Sequence, residues 1–347
     1  MLLYTTVGLL YTRTCPLACR HCIIESSPKA EGKMRQDTAA EYLRTITAYS
    51  KEVCFTGGEP LLYYTEVVEL IRFAVSLGLE TSVVSGAGWV RVDKTEIARE
   101  RVRGLKEAGL KKLCISWDQY HEEFSPRAQA ELLASLAQEF EIEVVVRGVV
   151  PANRRDARPK TVFGGVAAEF QSLIQLGTAR TLPEEQFLKL DEPPRGACST
   201  VLTPSIEPDG NVYACCGPAR FGKTGSPLLL GNTGEESLGA ILERGRRDPI
   251  LKAISLVGPF GLYQLLKKTD RYEEVFQRRR HYNNMCDLCL DMTDLPDVVT
   301  RLRARLSDAD GRAMLMAAEM LQRKKAAQEQ FVAPVVTDTR SEVPHVA

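Results

Sequence analysis

From the N-terminus to about residue 180, apolar β-branched runs alternate with stretches of helical periodicity, an order that predicts βαβ units on a parallel sheet. Strands are expected at about 6–12, 52–56, 80–85, 112–117, 143–149 and 170–176, and helices at 38–49, 65–77, 93–108 and 126–139, with a short fifth helix at 159–168. Six strands with intervening helices make an open barrel or a doubly wound sheet. In both, the loops after the C-terminal ends of the strands carry ligands.

Past residue 180 the pattern changes. Pro183, Pro193, Pro194 and Gly196 mark a linker, and 201–206, a Pro208-Asp209-Gly210 turn and 211–214 predict a β-hairpin. Helices are expected at 236–256 and 259–280, then one basic amphipathic helix over 296–328, and 332–347 reads as a loose tail. The chain therefore divides into 1–182, 183–295, a C-terminal helix over 296–331 and the tail.

Composition narrows the function. The 347 residues carry 45 basic and 45 acidic side chains, 44% apolar and 26% charged, which fits a globular protein of about two domains. Zero formal charge offers no general attraction to nucleic acid or to an anionic membrane, and no run of about 18 apolar residues is expected to span a bilayer. Residues 1–10 lack a basic flank and a cleavage site, so they read as a first strand and not as a signal peptide, and a cytoplasmic location is expected. Ten cysteines in a reducing compartment point to metal ligands or catalytic groups. Cys54 and Cys114 stand alone in apolar strands and read as small buried hydrophobes. Cys15, Cys19 and Cys22 form a C-x3-C-x2-C loop directly after the first strand, and Cys198, Cys215, Cys216, Cys286 and Cys289 fall in the second half. Three thiolates can hold a four-iron cubane and leave one iron open to a small molecule; the alternative is zinc, for which only His21 is at hand as a fourth ligand.

Joined to Gly57-Gly58-Glu59-Pro60 at the end of the second strand, the cysteine loop resembles the radical S-adenosylmethionine (SAM) superfamily over roughly residues 5–180. The resemblance implies a partial (β/α)6 TIM-like barrel followed by a small α+β domain and C-terminal helices. It also implies a 4Fe-4S cluster on Cys15, Cys19 and Cys22 whose open iron chelates the amino and carboxylate groups of SAM. His21 then lies near the adenine or is a solvated loop residue. Gly57 and Gly58 let backbone approach the methionyl group, and Glu59 accepts from its amino group or is a helix N-terminal acid. Ser116 matches a SAM-contacting serine on the inner face of the fourth strand. Asp118, on the same face, is a candidate for substrate or ribose contact, with helix capping as the competing account. His121 is a candidate acid, base or substrate donor, or is merely solvated. Arg147, inside an apolar strand, reads as a buried cation whose anion is the SAM carboxylate. Gly177 to Arg180 resembles a Gly-Arg-Ala element, with Arg180 structural.

Cys198, Cys215, Cys286 and Cys289 resemble the ligands of a SPASM or twitch domain with one auxiliary 4Fe-4S cluster; a structural zinc is the alternative. Cys216 points to the face opposite Cys215, which is favoured by its distance from Gly210. The implied activity is reductive cleavage of SAM to a 5'-deoxyadenosyl radical that removes a substrate hydrogen. The expected outcome is oxidative modification, such as crosslinking, of a ribosomally made peptide. A twitch-type dehydrogenase of a small alcohol or sugar-like metabolite is the second reading, and a non-catalytic iron-sulfur electron carrier or a zinc-binding interaction module comes from other classes. A flavodoxin- or ferredoxin-type reductant is implied. Because the first strand begins so early, leader recognition is expected to need a separate protein or to be absent.

Overall fold

The computed structural model describes residues 3–157, 162–266, 279 and 281–331. Six parallel strands run in chain order: β1 (Val7–Thr12), β2 (Glu52–Gly57), β3 (Glu80–Ser85), β4 (Lys112–Ser116), β5 (Glu143–Val150) and, past the two-residue β6 (Val162–Phe163), β7 (Val166–Ser172). The first four crossovers are helical: α1 (Gln36–Ile46), α2 (Tyr64–Ser76), α3 (Thr95–Glu107), and the one-turn α4 (Gln119–Glu122) followed by α5 (Arg127–Glu139). This is the partial (β/α)6 order expected of the first half.

Strand alternation determines where the site lies. Leu9, Phe55, Val83 and Leu113 are in register across four strands and are completely buried, as is Val146. Alternate positions on the same strands, Leu10, Thr56, Val84, Ser116 and Val149, line an open cavity instead. Two-residue periodicity thus gives one face to the core and leaves the other for ligands.

The fifth helix expected at 159–168 is absent among the described residues. Gly164 and Gly165, at φ +52° and +90°, form a tight turn joining β6 to β7, so the sixth parallel strand starts four residues earlier than expected. Residues 158–161 lie outside the described set.

In the second half, β8 (Ser205–Ile206) and β9 (Asn211–Tyr213) form the expected hairpin, and β10 (Leu229–Asn232), which was not expected, extends it. The hairpin is not detached from the first half: β8 pairs in parallel with β1, Gly8 opposite Ser205, so one sheet runs β10-β9-β8-β1-β2-β3-β4-β5-β7-β6. The helix expected at 236–256 is two, α6 (Leu238–Arg247) and α7 (Pro249–Leu266), because Asp248 caps the second through Ile250 and Leu251 N–H and Pro249 cannot continue the first. Most of the segment expected at 259–280 lies outside the described residues beyond Leu266. After α8 (Met285–Thr293), the single basic helix expected at 296–328 is also two, α9 (Pro296–Ser307) and α10 (Ala309–Phe331), with Asp308 accepting from Gly311 N–H at the break. The expected tail lies outside the described residues.

One exclusion needs correcting. Helix α7 has the length and composition of a membrane span, with Lys252 its only charge. It is kinked at Gly258 (φ +70°), and a little over half of it is buried against the rest of the fold.

Candidate active site

The loop after β1 carries Cys15, Cys19 and Cys22 into one wall of a cavity of about 310 Å3, opposite Ser116, His121 and Val149. Cys15 and Cys19 pack with Leu17, away from solvent. Burial pushes the Cys15 thiol up to about 12 and the Cys19 thiol higher still, and each sulfur opposes ionisation of its neighbours. Backbone N–H groups point at the sulfurs, Leu17 at Cys15 Sγ (3.5 Å) and Ser26 at Cys22 Sγ (3.4 Å). Three soft, mutually close thiols with N–H donors and an open side on a cavity fit the donor set of an iron-sulfur cluster with one free iron.

Gly57 and Gly58 line this cavity, but what demands glycine is the backbone behind them. A Cβ on Gly57 would lie 2.3 Å from Thr12 O, and one on Gly58 2.1 Å from Thr14 O. Gly58 N–H and Glu59 N–H donate to the same two carbonyls, which locks the second strand end to the cysteine loop. From the other side Thr178 clasps that loop, with its N–H on Cys22 O and its Oγ1 on the carbonyls of Cys19 and Cys22. Arg180 packs its guanidinium over the Phe221 ring.

Glu59 does not line the cavity. It has no exposed surface, and its oxygens accept from Ser85 Oγ (2.8 Å), Gly86 N (3.1 Å) and Leu61 N (3.1 Å), so of its two accounts the helix N-terminal acid is the one present, capping Pro60–Tyr63 and tying β2 to β3. Burial raises its pKa from 4.5 to about 7 against the lowering effect of those bonds. The folded chain therefore holds a proton that the unfolded chain releases between these values. The contribution of Glu59 to stability is fully present below pH 4.5 and is lost as pH rises through 7, by at most about 3 kcal/mol. Denaturant unfolding at pH 4.5 and 7.5 checks this: the wild type loses stability relative to Glu59→Gln, and parallel curves would refute it.

Asp118 is the N-cap of α4 and is 1% exposed, so of the two accounts the cap is the one present. It gathers five donors: Tyr120 N (2.9 Å), His121 N (3.2 Å), His121 Nδ1 (2.9 Å), Val149 N (3.0 Å) and His21 Nε2 (3.2 Å). Burial opposes its charge, yet His121 and His21 hold the carboxyl far below the usual range. Asp118 thus positions two histidines that do line the cavity. His21 is not a solvated loop residue. Its side chain is 12% exposed, stacked on Tyr120 (4.8 Å) and edge-on to His121 (4.9 Å), with Nδ1 buried and unpartnered among the described residues. Cys19, His21 and His121 each offer a ligand-type atom within 4.8 Å of the others.

Arg147 departs from expectation most. Its side chain is 57% exposed and does not line the cavity, and Nε pairs with Glu169 Oε2 (3.2 Å), its register partner on β7. An apolar sequence context implied burial; the open far end of the sheet's ligand face leaves the guanidinium in solvent with a protein anion.

The other cysteines separate as the adjacent pair suggested. Cys286 and Cys289 lie one turn apart at the start of α8, where Asn284 caps through Cys286 N–H (2.7 Å), and Cys198 N–H is held by Ile254 O on α7. Burial pushes Cys215 up to about 12 and holds Cys286 and Cys289 well above the usual thiol range, and Cys198 and Cys215 oppose the ionisation of both helical thiols. Cys198, Cys215, Cys286 and Cys289 are therefore close enough to feel one another's charge, four half-buried sulfurs at one locus. Cys216 turns the other way. It is deep in the fold, yet its thiol is exposed because the space it meets is the cavity of Cys15, Cys19 and Cys22. Sequence reading weighed Cys216 only as the alternative to Cys215, without placing it at the first cysteine loop, and passed over Thr178.

Residues 9–147 match the radical SAM superfamily. The chain is 22% identical to YydG of Bacillus subtilis (strain 168), a protein named for peptide biosynthesis, over 82% of this chain and 90% of that one. It is 32% identical to a PqqA peptide cyclase of Rhodopseudomonas palustris over 32% of this chain and 28% of the relative. Among solved structures, anSMEcpe with bound AdoMet and a Cp18Cys peptide covers 94% of this chain and 99% of its own, at 13% identity and a TM-score of 0.48.

Proposed function

Because residues 9–147 form a radical SAM domain, we propose that this enzyme cleaves SAM reductively and uses the resulting 5'-deoxyadenosyl radical to take a hydrogen from a ribosomally made peptide. The observation that carries this reading is the single cavity in which Cys15, Cys19 and Cys22 meet glycines, two oriented histidines and a further thiol. A 4Fe-4S cluster on the three cysteines supplies one-electron reduction of SAM when both are bound. The chain's own residues do the rest. Leu17 and Ser26 N–H groups stabilise negative charge on the sulfurs, and Gly57 and Gly58 keep the loop close to β2. His21 and His121, fixed by Asp118, present polar edges to whatever occupies the cavity, while Leu10, Leu17, Ile23 and Leu173 exclude water from a reactive carbon radical.

A peptide substrate is supported by the named activity of the relative that spans most of the chain. Cys198, Cys215, Cys286 and Cys289 are read as ligands of an auxiliary 4Fe-4S cluster of twitch type, with the second half of the chain as its domain. That cluster suits an oxidative outcome, in which it accepts the electron left on the substrate.

Cys216 favours a second outcome at the same site. A thiol hydrogen passes readily to a carbon radical, so the substrate can be closed by hydrogen return, with inversion at carbon and no net oxidation. The thiyl left on Cys216 needs one electron and one proton, supplied by the external reductant and solvent.

Anaerobic enzyme reconstituted with iron and sulfide, given SAM and dithionite, is expected to release 5'-deoxyadenosine; none, with full iron content, overturns the reading. With peptide in D2O, hydrogen return gives product one mass unit heavier in a Cys216-dependent manner, and oxidation gives product two units lighter whether or not Cys216 is present.

A further inference from the structure

Beyond α4, a second cavity of about 340 Å3 adjoins the first. The two share Val149, and α4 divides them: His121 faces the first, while Gln119 and Glu122 face the second. A ligand that fills the reaction cavity and continues outward meets this one next.

Its wall holds an unusual donor. Trp117, directly after β4, contributes an indole N–H that is buried and has no acceptor among the described residues. An indole N–H only donates, and buried donors are nearly always paired. Nearby, the Arg154 guanidinium bonds among the described residues to a neutral acceptor, Gln119 Oε1 (3.2 Å). Arg127, paired with Glu131, stacks over the rings of Trp117 and Phe163 and adds a second cation. Among the described residues Glu122 is the one carboxylate lining the cavity, and it is exposed. Val150, Pro151 and Phe170 make the remaining surface apolar.

Two cations, an unsatisfied donor and an apolar floor suit a short aliphatic arm ending in a carboxylate. We propose that this cavity is a specificity subsite for an acidic side chain, Glu or Asp, of the peptide substrate beside the residue that reacts, with Trp117 Nε1 and Arg154 as its donors. The proposal rests on the peptide reading above. A peptide C-terminus offers the same carboxylate, so the test separates the two.

The probes are acetyl-Gly-Glu-Gly-amide, its Gln counterpart, acetyl-Gly-Gly-Gly with a free carboxylate, and inorganic phosphate, added to reconstituted enzyme without SAM or reductant. The chain has two tryptophans, so 15N-tryptophan labelling gives two indole N–H signals, and loss of one in Trp117→Phe assigns it. The Glu probe is expected to move the Trp117 signal downfield and to bind about tenfold more tightly than the Gln probe, the worth of one charge-assisted hydrogen bond. Arg154→Gln, an exposed replacement that keeps the test open should Trp117→Phe misfold, is expected to abolish that preference. Equal binding of Glu and Gln probes, a preference that survives Arg154→Gln, tighter binding of the free C-terminus, or a response to phosphate alone each overturns the assignment. No chemistry is read, so failure here leaves SAM cleavage standing, and failure of SAM cleavage leaves a measured carboxylate preference in place.

Discussion

Cys19→Ala is expected to lower 5'-deoxyadenosine release by at least about three orders of magnitude, because radical formation has no second route once the three-thiol set is broken. Cys19 is buried between Cys15 and Cys22 and faces the reaction cavity, with no neighbouring cysteine free to replace it. Cys54 and Cys114 sit on other strands, and Cys216 lines the cavity from the opposite half of the chain. Iron analysis gives a second readout: on the proposed two-cluster reading about four of about eight irons are lost, since the Cys198, Cys215, Cys286 and Cys289 locus is untouched. Retention of both the full iron content and the rate would overturn the assignment of Cys19. Loss of all iron would show instead that the two loci do not load independently.

Asp118→Ala is expected to cost about 3–5 kcal/mol of folding stability, a large part of what a domain has. The substitution leaves five donors without their acceptor in a space closed to water, and it frees His21 and His121 to turn. Asp118→Asn keeps the shape but places an NH2 group against donors, so about 1–3 kcal/mol is expected for it. Denaturant unfolding of the two variants against wild type measures both, and a loss below about 1 kcal/mol for Asp118→Ala would show that the carboxylate does not organise the site.

The expectations that failed share a cause. Arg147 was read as buried because its sequence neighbours are valines, but burial belongs to a face of the sheet and not to a run of residues, and this face is open. Glu59 was read as a ligand contact or a helix N-terminal acid, and the second holds because the next turn carries it inward to Leu61, Ser85 and Gly86. The short fifth helix and the unbroken C-terminal helices failed where a glycine pair or a capping aspartate redirected the backbone, signals that were in the sequence but were outweighed by apolar periodicity.

The sequence by itself determined the order of strands and crossover helices, the cysteine loop at the first strand end and the glycine pair at the second. Each of these is written in local spacing: a period of two or 3.6, a ligand interval, a turn that tolerates no side chain. Only the tertiary structure decided that Asp118 holds His21 and His121 in place, that Arg147 belongs to Glu169, that Cys216 shares a cavity with the first three cysteines, and that the late hairpin continues the barrel sheet through β1. These are meetings of residues 3 to about 200 positions apart, set by which side of a strand or turn each occupies once the chain has closed on itself.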